Sequence, residues 1–219
     1  MITRRDFVQF SALAGATSLF GVGREALGAE PPPETTRLRI AEIPSTCRSP
    51  EYIAEALLRM EGFTDVQYNR VAGTVGVERA LASGEADISG HFAAPVILRI
   101  EAGDPIVILG GEHIGCFELL ANEKILSIRD LKGKAVAIPP QDTSPYAFLA
   151  SMVGHVGLDP RKDINWVKHP ASASMQLLAE GKIDAYLGFP PDPQEFRARK
   201  IGRIVVNSAI DRPWSQYFC

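Results

Sequence analysis

The sequence lacks an excess of either charge, a long apolar run and a dense set of cysteines. Its 23 Lys and Arg residues against 26 Asp and Glu residues give a net charge of −3, which argues against nucleic acid as a partner. No stretch approaches the roughly 18 consecutive apolar residues of a membrane-spanning helix. An apolar fraction of 46% over 219 residues is typical of a globular protein that is large enough to bury a core.

The cysteines are few and widely spaced. Three are present, Cys47, Cys116 and Cys219, so they cannot all pair within the chain. Their spacing is not that of a metal site, and we predict no metal and no other cofactor. Cys47 is placed to reach a ligand, whereas Cys116 is expected to behave as a small buried hydrophobe and Cys219 has no evident partner.

The N-terminus has the pattern of an export signal. A basic start with Arg4 and Arg5, a short apolar stretch and small residues at 27–29 predict a cleaved signal over residues 1–29. The alternative is an N-terminal helix of the fold, which the internal glycines and the three following prolines oppose. The two arginines and their neighbours resemble the twin-arginine signal, and no cysteine lies near the cleavage candidate. We therefore expect a periplasmic protein without a lipid anchor.

The rest of the chain repeats itself at a nearly constant shift of about 95 residues. The Ser-Pro pair at 49–50 recurs at 144–145, and the segment 81–87 recurs as the similar segment 178–184. Further matches follow in the same order along the chain. The sequence therefore predicts two copies of one structural unit.

Each copy has the same predicted order of elements. A short strand (38–43 or 134–138) precedes a polar loop and a Ser-Pro pair, which is typical of a helix start. The further predicted elements are helices at 50–61 and 145–156, strands at 65–71, 165–169 and 106–109, and a crossover that includes 117–120. Such alternation predicts an α/β protein with two similar lobes, each with a mostly parallel sheet flanked by helices.

The predicted lobes face one another across a cleft. The expected segments are an export signal at 1–29, a linker at 30–36, lobe one at 37–117, a crossover at 118–129, lobe two at 130–209 and the start of a return to lobe one at 210–219. Open α/β sheets bind ligands outside the carboxyl ends of their strands. We therefore expect the ligand site in the loops between the lobes.

Three motifs, at 81–88, 130–137 and 177–187, carry a family resemblance. They resemble the substrate-binding proteins of ABC importers with the type II periplasmic fold, in the nitrate/sulfonate/taurine and thiamine-precursor (NMT1/THI5-like) group. The resemblance covers about residues 37–219. Members of that group are longer, so it also implies a chain that is truncated at its C-terminus and lacks the last part of lobe one.

The resemblance implies an exported receptor rather than an enzyme. It would bind a small organic or oxyanionic ligand, of the sulfonate, nitrate or pyrimidine kind, by hinge closure and deliver it to an ABC permease in the inner membrane. A monomer without catalytic residues is expected. Two alternatives stay open: an enzyme on the same fold that resembles a pyrimidine-precursor synthase, and a non-functional fragment of a receptor.

The predicted ligand-binding residues lie in four loops at strand ends. They are Ser45, Thr46 and Arg48; Gln141, Thr143 and Ser144; Gly90, His91 and Phe92; and Phe189 and Asp192. The first two loops precede helix N-termini, whose free N–H groups favour an anion. The alternatives are helix capping for Ser144, core packing for the two phenylalanines and a structural role for His91. His113 is a second histidine candidate, without another ligand at metal-site spacing.

Overall fold

The computed structural model describes residues 33–140, 143–216 and 219. The predicted export signal at 1–29, its twin-arginine pattern and residues 30–32 of the linker lie outside the described residues. Among the helices that are described, none combines the length and the hydropathy needed to cross a bilayer.

The first half of the described chain forms a small parallel sheet and three helices. Its elements are β1 (Arg37–Glu42), α1 (Ser49–Met60), β2 (Asp65–Arg70), α2 (Gly73–Ser83) and α3 (Ala93–Glu101). β1 and β2 pair in parallel along their whole length, and Ile88 adds a single bridge to Ile40. The core of this part is small and comprises Ala41, Val77, Ala80 and Ala86. None of the residues of α1 is buried.

The second half forms a sheet of five strands with the order β5-β4-β6-β3-β7. Its elements are β3 (Glu118–Ala121), β4 (Ala135–Ile138), α4 (Thr143–His155), β5 (Asn165–Lys168), α5 (Ala171–Ala179), β6 (Ala185–Gly188), α6 (Asp192–Arg199) and β7 (Arg203–Asn207). β4 pairs in parallel with β5 and β6, whereas β3 is antiparallel to β6 and β7.

Both faces of this larger sheet are covered by helices. Leu119 and Leu120 are neighbours on β3 but belong to different core clusters, because successive side chains of a strand point to opposite faces. The cluster around Leu119 includes Phe148 and Met152 of α4. The cluster around Leu120 includes Phe196 of α6, together with residues of α5. This is the α/β arrangement with flanking helices that the sequence predicts.

Most elements predicted from the sequence are present, with two differences. The predicted helices and outer strands appear as α1, α4, β2 and β5, within two residues of the expected bounds. The strand predicted at 106–109 is wrong: these residues form no strand, and Val107 and Leu109 are exposed. Residues 118–121, predicted as part of the crossover, form β3 of the larger sheet. Short apolar runs look alike in sequence, and only pairing with a neighbouring strand decides between them.

Candidate functional site

Arg48 joins two of the predicted ligand-binding loops. It lies at the N-terminal end of α1 and is buried. Its Nη1 donates hydrogen bonds to Glu51 Oε1 at 2.6 Å and to Ser89 Oγ at 2.8 Å. The backbone N–H of Gly90 donates to the same Glu51 oxygen at 2.5 Å. The loop after β1 and the loop after Ile88 are therefore held together by one buried ion pair.

This ion pair leaves hydrogen-bonding capacity unused. Arg48 Nη2 and Glu51 Oε2 are buried and have no hydrogen-bond partner among the described residues. Leaving a buried donor without a partner costs on the order of 1–3 kcal/mol. A guanidinium presents its N–H groups in a planar fork that matches an oxyanion. Arg48 can thus accept an anionic group from a ligand.

Three charged groups converge on Gly90. A Cβ atom at this position would lie 2.7 Å from Glu51 Oε1, 2.8 Å from Glu112 Oε2 and 3.2 Å from Arg48 Nη1. Glycine is therefore needed here, because any side chain would displace one of these groups. The arrangement places a guanidinium and two carboxylates around a single point of the loop.

A cavity of about 480 Å³ is lined by Glu51 and Glu112, whereas Arg48 lies behind the loop at Gly90 and does not line it. Its walls are mainly apolar residues of β1, α1 and the segment 105–109, while Glu51, Ser89, His91 and Glu112 supply polar groups. This volume is in the usual range for small-ligand pockets, about 300–1,000 Å³. A second, much smaller cavity of about 20 Å³ is lined by residues that include Phe92 and Ser144. Both cavities share Ala93 and Cys219 in their walls.

His91 lies in the wall of the larger cavity but is directed towards α2. Its Nε2 is 3.3 Å from the carbonyl oxygen of Thr74 and 3.7 Å from Glu78 Oε1, and its Nδ1 is 3.1 Å from the carbonyl oxygen of Phe92. A ring nitrogen of His91 that carries a hydrogen can donate to the carbonyl nearest to it. The geometry is consistent with a positioning role for His91 between α2 and the loop.

Phe92 and Phe189 both adjoin one buried ring, that of Phe117. The ring centroids lie 4.7 Å apart for Phe92 and Phe117, and 6.0 Å apart for Phe189 and Phe117. Phe148 of α4 lies 5.8 Å from the same ring. Phe117 is not among the predicted site residues, because it lies in none of the four predicted loops. It brings loops from the two halves of the chain into one aromatic cluster.

The remaining predicted site residues are not all brought together. Ser144 is buried at the start of α4, in the wall of the small cavity. Asp192 begins α6 and lines neither cavity. Burial raises the pKa of Asp192, and the nearby Glu195 carboxylate raises it further. Gln141 lies outside the described part of the structure, and so do the side chains of Thr46 and Thr143.

A group of sulfur and nitrogen atoms lies beside the first loop. The Sγ atoms of Cys47 and Cys116 and a ring nitrogen of His113 all lie within 4.8 Å of one another. Ser45 Oγ, from a predicted site residue, is 2.8 Å from Cys47 Sγ. Sequence spacing did not reveal this group, because Cys47 is far from the other two residues along the chain.

The two thiols of this group are neutral when no cation is bound. A hydrogen bond with Cys219 and partial burial raise the pKa of Cys116 to about 12. A hydrogen bond with Cys116, together with burial, raises the pKa of Cys47 as well. Because the thiolate is the nucleophilic form of cysteine, neither residue is activated as a nucleophile.

The fold is that of periplasmic binding proteins. The alkanesulfonate-binding protein SsuA from Xanthomonas axonopodis pv. citri, bound to MOPS, superposes with a TM-score of 0.61 at 20% identity, over 80% of this chain and 62% of that one. The nitrate-binding protein NrtA from Synechocystis PCC 6803 gives a TM-score of 0.59 at 16% identity, over 81% of this chain and 52% of that one.

The family is shown by sequence. The NMT1/THI5 like family model matches residues 59–208, which is more than half of the chain, so the chain belongs to this family. The taurine-binding periplasmic protein of Escherichia coli (strain K12) is 29% identical over 173 residues, which cover 77% of this chain and 53% of that relative. The chain thus spans about half the length of the curated relative that it matches.

Proposed function

We propose that this chain is the solute-binding component of an ABC importer and that it binds a small organic sulfonate without chemical turnover. The observation that carries the proposal is the buried Arg48, whose Nη2 has no partner among the described residues and which lies beside the cavity loop at Gly90. Membership of the NMT1/THI5 like family and the taurine-binding relative support it. The proposal includes a periplasmic location, a permease partner and a monomeric state.

The charges around Gly90 favour a ligand that carries both signs. Glu51 neutralises part of Arg48, and Glu112 adds a further carboxylate close by. Taurine has a sulfonate, which matches the free guanidinium N–H groups, and an ammonium group, which matches a carboxylate. The mainly apolar wall of the cavity suits the short carbon chain between these groups. We therefore rank aminosulfonates above nitrate as ligands.

The test is isothermal titration of the purified chain with taurine, an alkanesulfonate and nitrate. Arg48→Gln should weaken taurine binding by about 10- to 100-fold, because a hydrogen bond to a charged group contributes about 1.5–3 kcal/mol. Arg59→Gln is the matched control, since Arg59 is exposed on α1 and its described ion pair is with Glu55. Arg48→Lys keeps the charge without the planar fork and should fall between the two.

The thermal stability of each variant must be compared as well, because removing Arg48 leaves the Glu51 carboxylate buried. A folded Arg48→Gln variant that binds as tightly as the unmodified chain would contradict the assignment of Arg48. Absence of binding to all three ligands by the folded, unmodified chain would overturn the proposed function itself.

A further inference from the structure

The group of Cys47, His113 and Cys116 is assembled from two separate segments. Cys47 lies in the short 3-10 turn Thr46–Arg48, which follows β1. His113 and Cys116 lie three positions apart in the segment between α3 and β3. All three side chains are partly buried, so they are reachable from solvent yet held by their surroundings.

The distances within the group match those of a metal site. In a tetrahedral zinc site with Zn–S bonds of about 2.3 Å and Zn–N bonds of about 2.0 Å, neighbouring ligand atoms lie about 3.5–3.8 Å apart. Cys116 Sγ lies 3.5 Å from His113 Nδ1, and the ligand atoms of all three residues lie within 4.8 Å of one another. Only small side-chain movements are needed to close around an ion.

We propose that Cys47, His113 and Cys116 bind a Zn²⁺ ion with three protein ligands and a fourth position open to water. Thiolate and imidazole are ligands that suit Zn²⁺, whereas Mg²⁺ and Ca²⁺ require oxygen ligands. Binding displaces one proton from each thiol to solvent and leaves the imidazole neutral. The proposal does not depend on the proposed solute, because its test uses the metal alone.

The ion would connect two segments that the backbone joins only through a long stretch of chain. Cys47 belongs to the loop after β1, whereas Cys116 directly precedes Phe117 and the strand β3 of the larger sheet. A ligand that binds the folded chain and not the unfolded chain raises the apparent stability. Zn²⁺ should therefore raise the melting temperature of the chain.

Cys219 offers an alternative fate for one of the ligands. Its Sγ lies 3.3 Å from Cys116 Sγ, although it is not part of the set of three. If an oxidant joined these two sulfurs in a disulfide, Cys116 would no longer be available as a thiolate. The two alternatives predict different effects of Cys219→Ser. With a disulfide, the substitution frees Cys116 and restores zinc binding, whereas with the zinc site it leaves zinc binding unchanged.

The experiment is a titration of the reduced, metal-free chain with Co²⁺ and then with Zn²⁺ in competition with a chromogenic chelator. We expect one ion per chain, thiolate-to-cobalt charge-transfer absorption and displacement of Co²⁺ by Zn²⁺. Cys47→Ser, His113→Gln and Cys116→Ser should each weaken binding more than about 100-fold, since even loss of an outer partner of a ligand costs 10- to 100-fold. Cys219→Ser and His169→Gln are the matched controls and should change the affinity less than tenfold.

Several outcomes would overturn the zinc site. One is a folded chain that binds no Co²⁺, and another is binding without charge-transfer bands, which would indicate oxygen ligands. A third is a reduced chain in which Cys219→Ser abolishes binding while Cys47→Ser does not. A fourth is purified protein with a persistent Cys116–Cys219 disulfide, in which only Cys219→Ser restores zinc binding. Circular dichroism of the metal-free variants separates loss of a ligand from loss of the fold.

Discussion

Two aspartates at equivalent positions of the internal repeat have the same structural role. Asp87 Oδ2 accepts a hydrogen bond from the backbone N–H of Arg39 at 2.8 Å, and Asp184 Oδ2 accepts one from the backbone N–H of Ala135 at 2.9 Å. The backbone N–H of each aspartate donates in return to the carbonyl of the same strand residue, at 2.8 and 2.7 Å. Each aspartate thus joins the turn after a helix to a parallel strand of its sheet, β1 for Asp87 and β4 for Asp184.

Replacing Asp87 should change the acid stability of the chain. Hydrogen bonds from Arg39 lower the pKa of Asp87 below its usual value near 4. A lowered pKa in the folded state means that the ionised carboxylate stabilises the fold above about pH 4, and that this contribution is lost as the pH falls through the lowered pKa. Asp87→Asn should therefore lower the melting temperature by a few degrees at pH 7 and by less near pH 3.

Thermal unfolding followed by circular dichroism at both pH values measures this difference. The control is Asp65→Asn, because the Asp65 carboxylate is exposed and lies 3.8 Å from Arg37, an arrangement that contributes little to stability. An equal loss for Asp87→Asn at pH 3 and pH 7 would show that the ion pair with Arg39 is not the cause.

Only part of the candidate site could be predicted from the sequence. Arg48 is predictable because it precedes a Ser-Pro pair at a helix start, and that local pattern does not depend on the rest of the fold. Its partner Ser89 and the nearby Glu112 lie far away in the chain, so their contact with the loop depends on the fold. The contact between Cys47 and Cys116 could not be predicted for the same reason, because the two residues are far apart in the sequence and only the fold brings them together.

At the scale of elements, local signals predicted helix starts better than strands. Pro50 lies in the first turn of α1, as expected for a residue that lacks an N–H and has a fixed φ. The apolar run 106–109 has the composition of a strand, yet it makes no strand pairing in the described structure. β3 has a similar composition but pairs with two neighbours. Local sequence patterns do not show which distant segments will pair, so they cannot distinguish these two runs.

The N-terminal segment 1–29 gives a prediction of its own. If it is a twin-arginine signal, replacing both Arg4 and Arg5 by Lys should retain the protein in the cytoplasm, because that export route requires recognition of the arginine pair. Cell fractionation with N-terminal sequencing of the periplasmic form measures both export and cleavage. Arg24→Lys, in the same segment, is the control and should be exported. Normal export of the double variant would contradict the twin-arginine route and leave a general signal peptide.

At the scale of the whole molecule, the two halves of the described chain bury very different amounts of apolar surface. The larger sheet has a helix-covered core on each face, in which Leu119, Leu131 and Met152 are fully buried. The smaller sheet has two strands, and the apolar side chains of Leu57 and Met60 on α1 are 62% and 81% exposed. Since burial of apolar surface is the main stabilising term, the larger sheet should dominate the free energy of unfolding.

Two leucine substitutions test this distribution of stability. Leu119→Ala should lower the free energy of unfolding by about 2–5 kcal/mol, because it removes fully buried methyl groups and leaves a cavity. Leu57→Ala is the matched control and should change it by less than about 0.5 kcal/mol, because its side chain is mostly exposed. Urea unfolding of both variants gives the two differences directly. Equal losses would show that Leu57 of α1 packs against apolar partners in solution, which would contradict the expected distribution of stability.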